Sequence, residues 1–178
     1  NLRLMTHRPL GAVPSWAKPL EIVQGDMRDA GAISSAVDGI DAVLHLAALN
    51  EIECQQDPDL ALEVNGKGTQ RLLHAAQSQG VSRFIYMSTF HVYGPAAAQP
   101  ITENSPTRPI HPYAITHRLA EDFVNSHRHN QKMETLILRL SNGYGYPADV
   151  GAGRWSLVFN DLCLQAVRQQ SVQLNSSG

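Results

Sequence analysis

The chain is poor in the features that mark several protein classes. It has only two cysteines, Cys54 and Cys163, far apart and in no metal-ligand spacing. Two isolated thiols build neither a disulfide framework nor a zinc site, so no metal is expected and a reducing cytoplasm is the default compartment. No apolar run approaches the roughly 20 residues that cross a bilayer, and no charged-then-apolar leader is read at the start. The net charge of −2 gives no electrostatic reason to expect nucleic acid or an anionic membrane as a partner. Charged residues are scarce at 17% beside 43% apolar, which excludes a disordered chain and points to a globular one. Internal repeats and low-complexity tracts are lacking too. So is a glycine-rich turn behind the first apolar run: the clustered glycines are Gly143/Gly145 and Gly151/Gly153, far downstream.

What is present is an alternation of apolar runs with helical patterns. Leu2–Thr6, Leu20–Gln24, Ala42–Leu46, Phe84–Met87 and Leu136–Leu140 read as strands. Several are almost continuously apolar, as suits strands covered on both faces of a parallel sheet. Asp29 is placed to cap a helix through about Val37, with Gly39 just after it. Asp57-Pro58 starts a second helix that Gly80 stops, with Leu62, Asn65, Thr69, Leu72, Leu73 and Ala76 on one stripe. Tyr113 to about His127 and Arg154 to Gln170 are the last two helices. His7–Pro19 and Pro95–Pro112 are proline-rich connections. Strand–helix alternation implies right-handed crossovers and an open α/β sheet.

Two places carry chemistry. Ser88-Thr89 follow a strand at its carboxyl end, where ligands of open α/β sheets bind. Tyr113 comes 24 residues after Thr89, and His117 shares its helix face four residues on. A tyrosine can exchange a proton with an alcohol while hydride leaves the carbon, but a phenol with a pKa near 10 needs a neighbouring cation to act as a base at neutral pH. Taken alone, Tyr113 and His117 fit a buried core tyrosine and an unrelated surface histidine better than a catalytic pair.

The surrounding motifs tip that balance. Gly25-Asp26-Met27-Arg28-Asp29, His45-Leu-Ala-Ala48, Val64-Asn65…Gly68-Thr69, Ser88-Thr89-Phe-His-Val-Tyr-Gly94 and Leu138-Arg-Leu-Ser-Asn142-Gly-Tyr-Gly145 occur in this order. Together they resemble the extended short-chain dehydrogenase/reductase family, which includes NAD-dependent sugar epimerases and dehydratases. The resemblance implies a Rossmann-type doubly wound parallel sheet over residues 1–150, followed by the start of a C-terminal substrate-binding region at 151–178. The first strand and glycine-rich loop are not in the sequence. With the usual strand order 3-2-1-4-5-6, that implies a gap in the middle of the sheet.

The resemblance also implies roles. Asp26 would accept a bond from the adenine amino group, with the Met27 backbone beside it, and Ala47 and Ala48 would lie against the dinucleotide. Asn65, on an otherwise apolar stripe, is either a cofactor contact or a structural amide. Ser88 would touch the cofactor. Thr89 would be the catalytic hydroxyl, Tyr113 the acid/base and Asn142 a nucleotide-sugar contact. His45 and His91 read as packing groups or as supports behind the site, and His127 and His129 as a solvated helix end. His117 stands where the family has the lysine that binds the nicotinamide ribose and lowers the tyrosine pKa, so weak or acid-shifted turnover, or binding without turnover, is expected. Thr6-His7-Arg8 lacks the acidic residue that favours NAD. Arg8 is either a solvated charge or the partner of a 2′-phosphate, which tilts the expectation toward NADP. Phe90-His91 replaces the Asp-Glu pair of many dehydratases. The expected activity is therefore NAD(P)-dependent epimerisation or reduction of a nucleotide-sugar, with a homodimer paired through the Tyr113 helix. A non-catalytic dinucleotide-binding regulator and a reductase of non-sugar carbonyls are the alternatives.

Overall fold

The computed structural model describes residues 1–95, 100–130, 133–143, 145, 155 and 157–174, with the backbone alone at 129 and 130. Two compact units divide at Ser141/Asn142. The expected boundary near residue 150 falls outside the described residues.

In the first unit all strand pairing is parallel. β1 (Arg3–Thr6) pairs with β2 (Glu21–Gln24), and Arg3 and Glu21, opposite each other, are ion-paired at 2.7 Å. β3 (Ala42–His45), β4 (Arg83–Thr89) and β5 (Glu134–Leu140) form a separate sheet in the order β3-β4-β5. Among the described residues no ladder joins the two sheets. A 3-2-1-4-5-6 order without its first strand divides into the same two groups.

α1 (Ala30–Val37) starts as expected, since the Asp29 carboxylate accepts from the Gly31 and Ala32 N–H groups. The expected helix start at Asp57-Pro58 is present, with a further short helix before it. α2 (Glu51–Gln56) precedes it, opened by a capping box in which Asn50 and Glu53 bond each other's backbone N–H. That signal stands in the sequence as Asn-x-x-Glu. Asp57 then caps α3 (Pro58–Ala61), a π-helical turn covers Leu62–Lys67, and α4 (Gly68–Ser78) follows. The wider i→i+5 turn rotates Leu62 off the expected stripe and leaves it 39% exposed, while Asn65, Thr69, Leu72, Leu73 and Ala76 are buried. α4 begins with Gly68 against Met27, where an added Cβ would sit 2.9 Å from the Met27 side chain.

α1 packs on α4 and so ties the two sheets together. α5 (Pro112–Asn130) packs on β4 and β5. One core results, with Ile33, Leu73, Phe84 and Val124 fully buried. Each such side chain contributes about 1.5–3 kcal/mol through removal from water. The loop 7–19 carries two short 3-10 turns, Leu10–Ala12 and Ser15–Ala17. In the second unit, α6 (Val158–Gln169) starts four residues later than expected and ends on Gln170 at φ 55°. Arg154 lies outside the described residues.

Candidate active site

Parallel strands leave their carboxyl ends on one edge, and the chain turns there collect the expected site residues. Arg8 is exposed just after β1, and its backbone N–H donates to Thr6 Oγ1. Asp26 and Met27 follow β2, and Ala47 and Ala48 lie exposed after β3. Ser88 and Thr89 end β4, and Tyr113 and His117 lie in the first turns of α5. Asn142, exposed, belongs to the second unit.

Asp26 is bound by its own loop. Arg28 donates to it from the backbone N–H at 2.8 Å and from Nε and Nη2 at 2.9 and 2.7 Å. These contacts hold its carboxyl down at about 2. A carboxylate has about four acceptor positions, so one more donor still fits. Asn65 is 1% exposed, and its amide links three segments: Oδ1 accepts from Leu49 N–H at 2.8 Å, while Nδ2 donates to Thr116 Oγ1 at 3.1 Å and Cys54 Sγ at 3.4 Å. The π turn places it there. His45 is buried and bonded through Nε2 to Thr69 Oγ1 at 2.8 Å, and burial drives its pKa down to about 3. Thr69 donates its single proton to Asn65 O at 2.6 Å, so His45 is the donor in their pair.

Adjacent hydroxyls on β4 alternate in direction and have different uses. Thr89 Oγ1 accepts from His91 N–H at 3.3 Å and caps a 3-10 turn over Phe90–Tyr93. Gly94 closes that turn at φ +68°, and a Cβ there would lie 2.0 Å from Arg108 O, so only glycine fits. Ser88 Oγ instead donates to Glu121 Oε1 at 2.6 Å, beneath α5. Glu121 is fully buried and forked to Arg139 through Nε and Nη2 at 2.9 and 2.7 Å. Arg139 also lies over the Tyr93 ring, 4.8 Å from its centroid. Neither Glu121 nor Arg139 figures in the expected site. The available signals were the four-residue step from His117 to Glu121 and a lone arginine in an apolar strand.

Tyr113 is half-buried among imidazoles. His117 meets its ring edge to face at 4.4 Å between centroids, His91 does so at 6.2 Å, and His111 stacks at 6.2 Å. His91, expected to pack or to support the site from behind, lies in the Tyr113 surroundings. His117 is 3% exposed, and its Nδ1 lies 2.7 Å from the Tyr86 hydroxyl. Burial pushes its pKa down to about 4, against the opposing pull of Glu121. At neutral pH it therefore carries no charge. Its Nε2 is buried and has no hydrogen-bond partner among the described residues. His127 is half-buried rather than fully solvated, and its Nδ1 has no hydrogen-bond partner among the described residues; the His129 side chain lies outside the described residues.

A family model described as the NAD dependent epimerase/dehydratase family matches residues 2–178. The chain belongs to that family. Mouse dTDP-D-glucose 4,6-dehydratase is 38% identical over 136 residues, covering 73% of this chain and 38% of the mouse protein. A DesIV double mutant, a dTDP-glucose 4,6-dehydratase from Streptomyces venezuelae with NAD and DAU bound, superposes with a TM-score of 0.74 at 28% identity, covering 96% of this chain and 50% of that one. RMD from Pseudomonas aeruginosa, complexed with NADPH, gives a TM-score of 0.73 at 28% identity over 93% of this chain and 57% of that one. The chain thus spans about two fifths to just over half the length of these relatives. Both solved relatives hold a nicotinamide dinucleotide, and the Rossmann-type α/β fold that the resemblance implies is theirs too. Among the described residues no helix is long and apolar enough to cross a membrane.

Proposed function

We propose that this chain supplies the dinucleotide-side half of an NAD(P)-dependent epimerase or reductase of a nucleotide-sugar. The observation that carries this reading is the edge-to-face contact of Tyr113 with His117, whose buried Nε2 has no hydrogen-bond partner among the described residues, at the carboxyl edge of a parallel sheet. A buried polar atom without a partner is rare and calls for an explanation, of which a ligand contact is one. Asp26, Ala47 and Ala48 frame the rest of the dinucleotide path. Arg8 favours a 2′-phosphate and hence NADP.

A bound nicotinamide dinucleotide supplies the hydride acceptor. Tyr113 takes the proton of the sugar hydroxyl, and the Thr89 hydroxyl bonds the same oxygen. For an epimerase, Tyr113 returns the proton once the sugar has turned its other face. Phe90-His91 offers no carboxylate acid or base beside Thr89, which separates this reading from 4,6-dehydration. Two copies pair through α5.

The test is nicotinamide absorbance with a panel of nucleotide-sugars from pH 5 to 9, for the unaltered protein and Tyr113→Phe. Loss of the acid/base should lower turnover by about 10²-fold or more. The neutral state of His117 favours one second reading, a dinucleotide-binding protein without turnover. Binding of cofactor and sugar with no redox change across that pH range would establish it.

A further inference from the structure

We infer that Tyr86 is a positioning residue: its phenol donates to His117 Nδ1 and so fixes the imidazole as an uncharged, single-donor group whose Nε2–H is presented to a ligand hydroxyl. The ligand part rests on the dinucleotide reading above; the positioning part does not.

The direction of the Tyr86–His117 bond follows from counting partners. Among the described residues the Tyr86 hydroxyl has one partner, His117 Nδ1, at 2.7 Å. If Nδ1 carried the proton, the Tyr86 O–H would have no acceptor and Nε2 would be a bare, buried acceptor: two unsatisfied groups. If Tyr86 donates, only Nε2–H is left over. Each unsatisfied buried polar group costs about 1–3 kcal/mol, so the second arrangement wins. Burial, with Glu121 and Tyr113 nearby, raises the Tyr86 pKa well above its ordinary value, so the phenol keeps the proton it donates.

The ring is held from every side. Tyr86 stacks on it from β4 at 5.8 Å between centroids, Tyr113 meets it from one turn earlier on α5, and Glu121 lies one turn later. His45 on β3 and His91 on the 3-10 turn add only unfavourable interactions with a second positive charge. Tyr86 itself lies in the middle of β4, tilted against His45 at 5.5 Å, and cannot move without disturbing the core. His117 therefore differs from a lysine in more than charge. An ammonium rotates three donors freely, whereas this imidazole offers one in a set direction.

The experiment is long-range proton–nitrogen NMR of the histidine rings in the protein and in Tyr86→Phe, which removes only the hydroxyl. The unaltered protein should show His117 at pH 7 as the Nε2–H tautomer, and Tyr86→Phe should show a tautomer mixture with a raised His117 pKa. A hydroxyl that served stability alone would leave the tautomer unchanged. An Nδ1–H tautomer in the unaltered protein, or an unchanged tautomer in Tyr86→Phe, overturns the positioning role. NADPH is then titrated in. A shift of the His117 Nε2 signal on binding, with at least about fivefold weaker binding by Tyr86→Phe, supports the ligand role. Binding that leaves that signal unmoved overturns it. Absence of binding overturns the dinucleotide reading and the ligand role with it, while the tautomer comparison still decides what Tyr86 does.

Discussion

Two polar clusters lie one helical turn apart on α5 and solve the burial problem in opposite ways. Around Glu121, charge is kept and saturated: Arg139 forks onto the carboxylate, Ser88 adds a third bond, and Arg118 Nη1 stands at 3.5 Å. Around His117, charge is given up: the ring is neutral, one nitrogen is bound by Tyr86, and the other is unmatched. A saturated cluster stabilises one geometry and has nothing to offer a ligand. A deficient cluster costs stability and keeps a donor in reserve. That contrast separates the part of α5 that anchors the helix from the part proposed above to meet a ligand.

The comparison can be broken most severely at Arg139. Arg139→Met would strand a fully buried carboxylate and should cost about 3–5 kcal/mol, read as a lower urea midpoint. The His117 side should fail with pH instead. Unfolded histidine titrates near 6.5, while folded His117 titrates near 4 and His45 near 3. The unfolded chain binds more protons in that window, so stability is full above pH 6.5 and falls as pH drops toward 4 and then 3. His117 alone accounts for about 3 kcal/mol of that loss. His117→Gln should flatten the slope of urea midpoint against pH between 6.5 and 4, leaving the part due to His45.

A third change converts one cluster toward the other. His117→Lys restores a cation beside Tyr113 and should raise redox turnover at pH 8 by about tenfold, about 1.4 kcal/mol of barrier. No gain at that pH would rule out the charge at position 117 as a limit on turnover. The smallest effect belongs to Ser88→Ala. Glu121 keeps Arg139, so stability should fall by only about 1 kcal/mol in the same urea assay.

How much of this could be read in advance depended on the range of the signal. The strands, the Asp29 cap and the Asp57-Pro58 start were legible because period, capping and proline chemistry are local. The Asn50–Glu53 capping box is equally local and stands in the sequence as Asn-x-x-Glu. The π turn was not legible, because one widened turn changes no residue pattern until its neighbours pack. Tyr113 and Thr89 were marked by motif spacing, but Tyr86 looked like an ordinary strand residue and Glu121 like an ordinary helix charge.

The order of residues alone determined a parallel α/β protein of the epimerase/dehydratase family with a histidine where a lysine is expected. Only tertiary packing decided what that histidine is. Its charge, tautomer and unmatched nitrogen depend on Tyr86 from β4, 31 residues away, and on burial under the sheet, neither of which a spacing along the chain encodes.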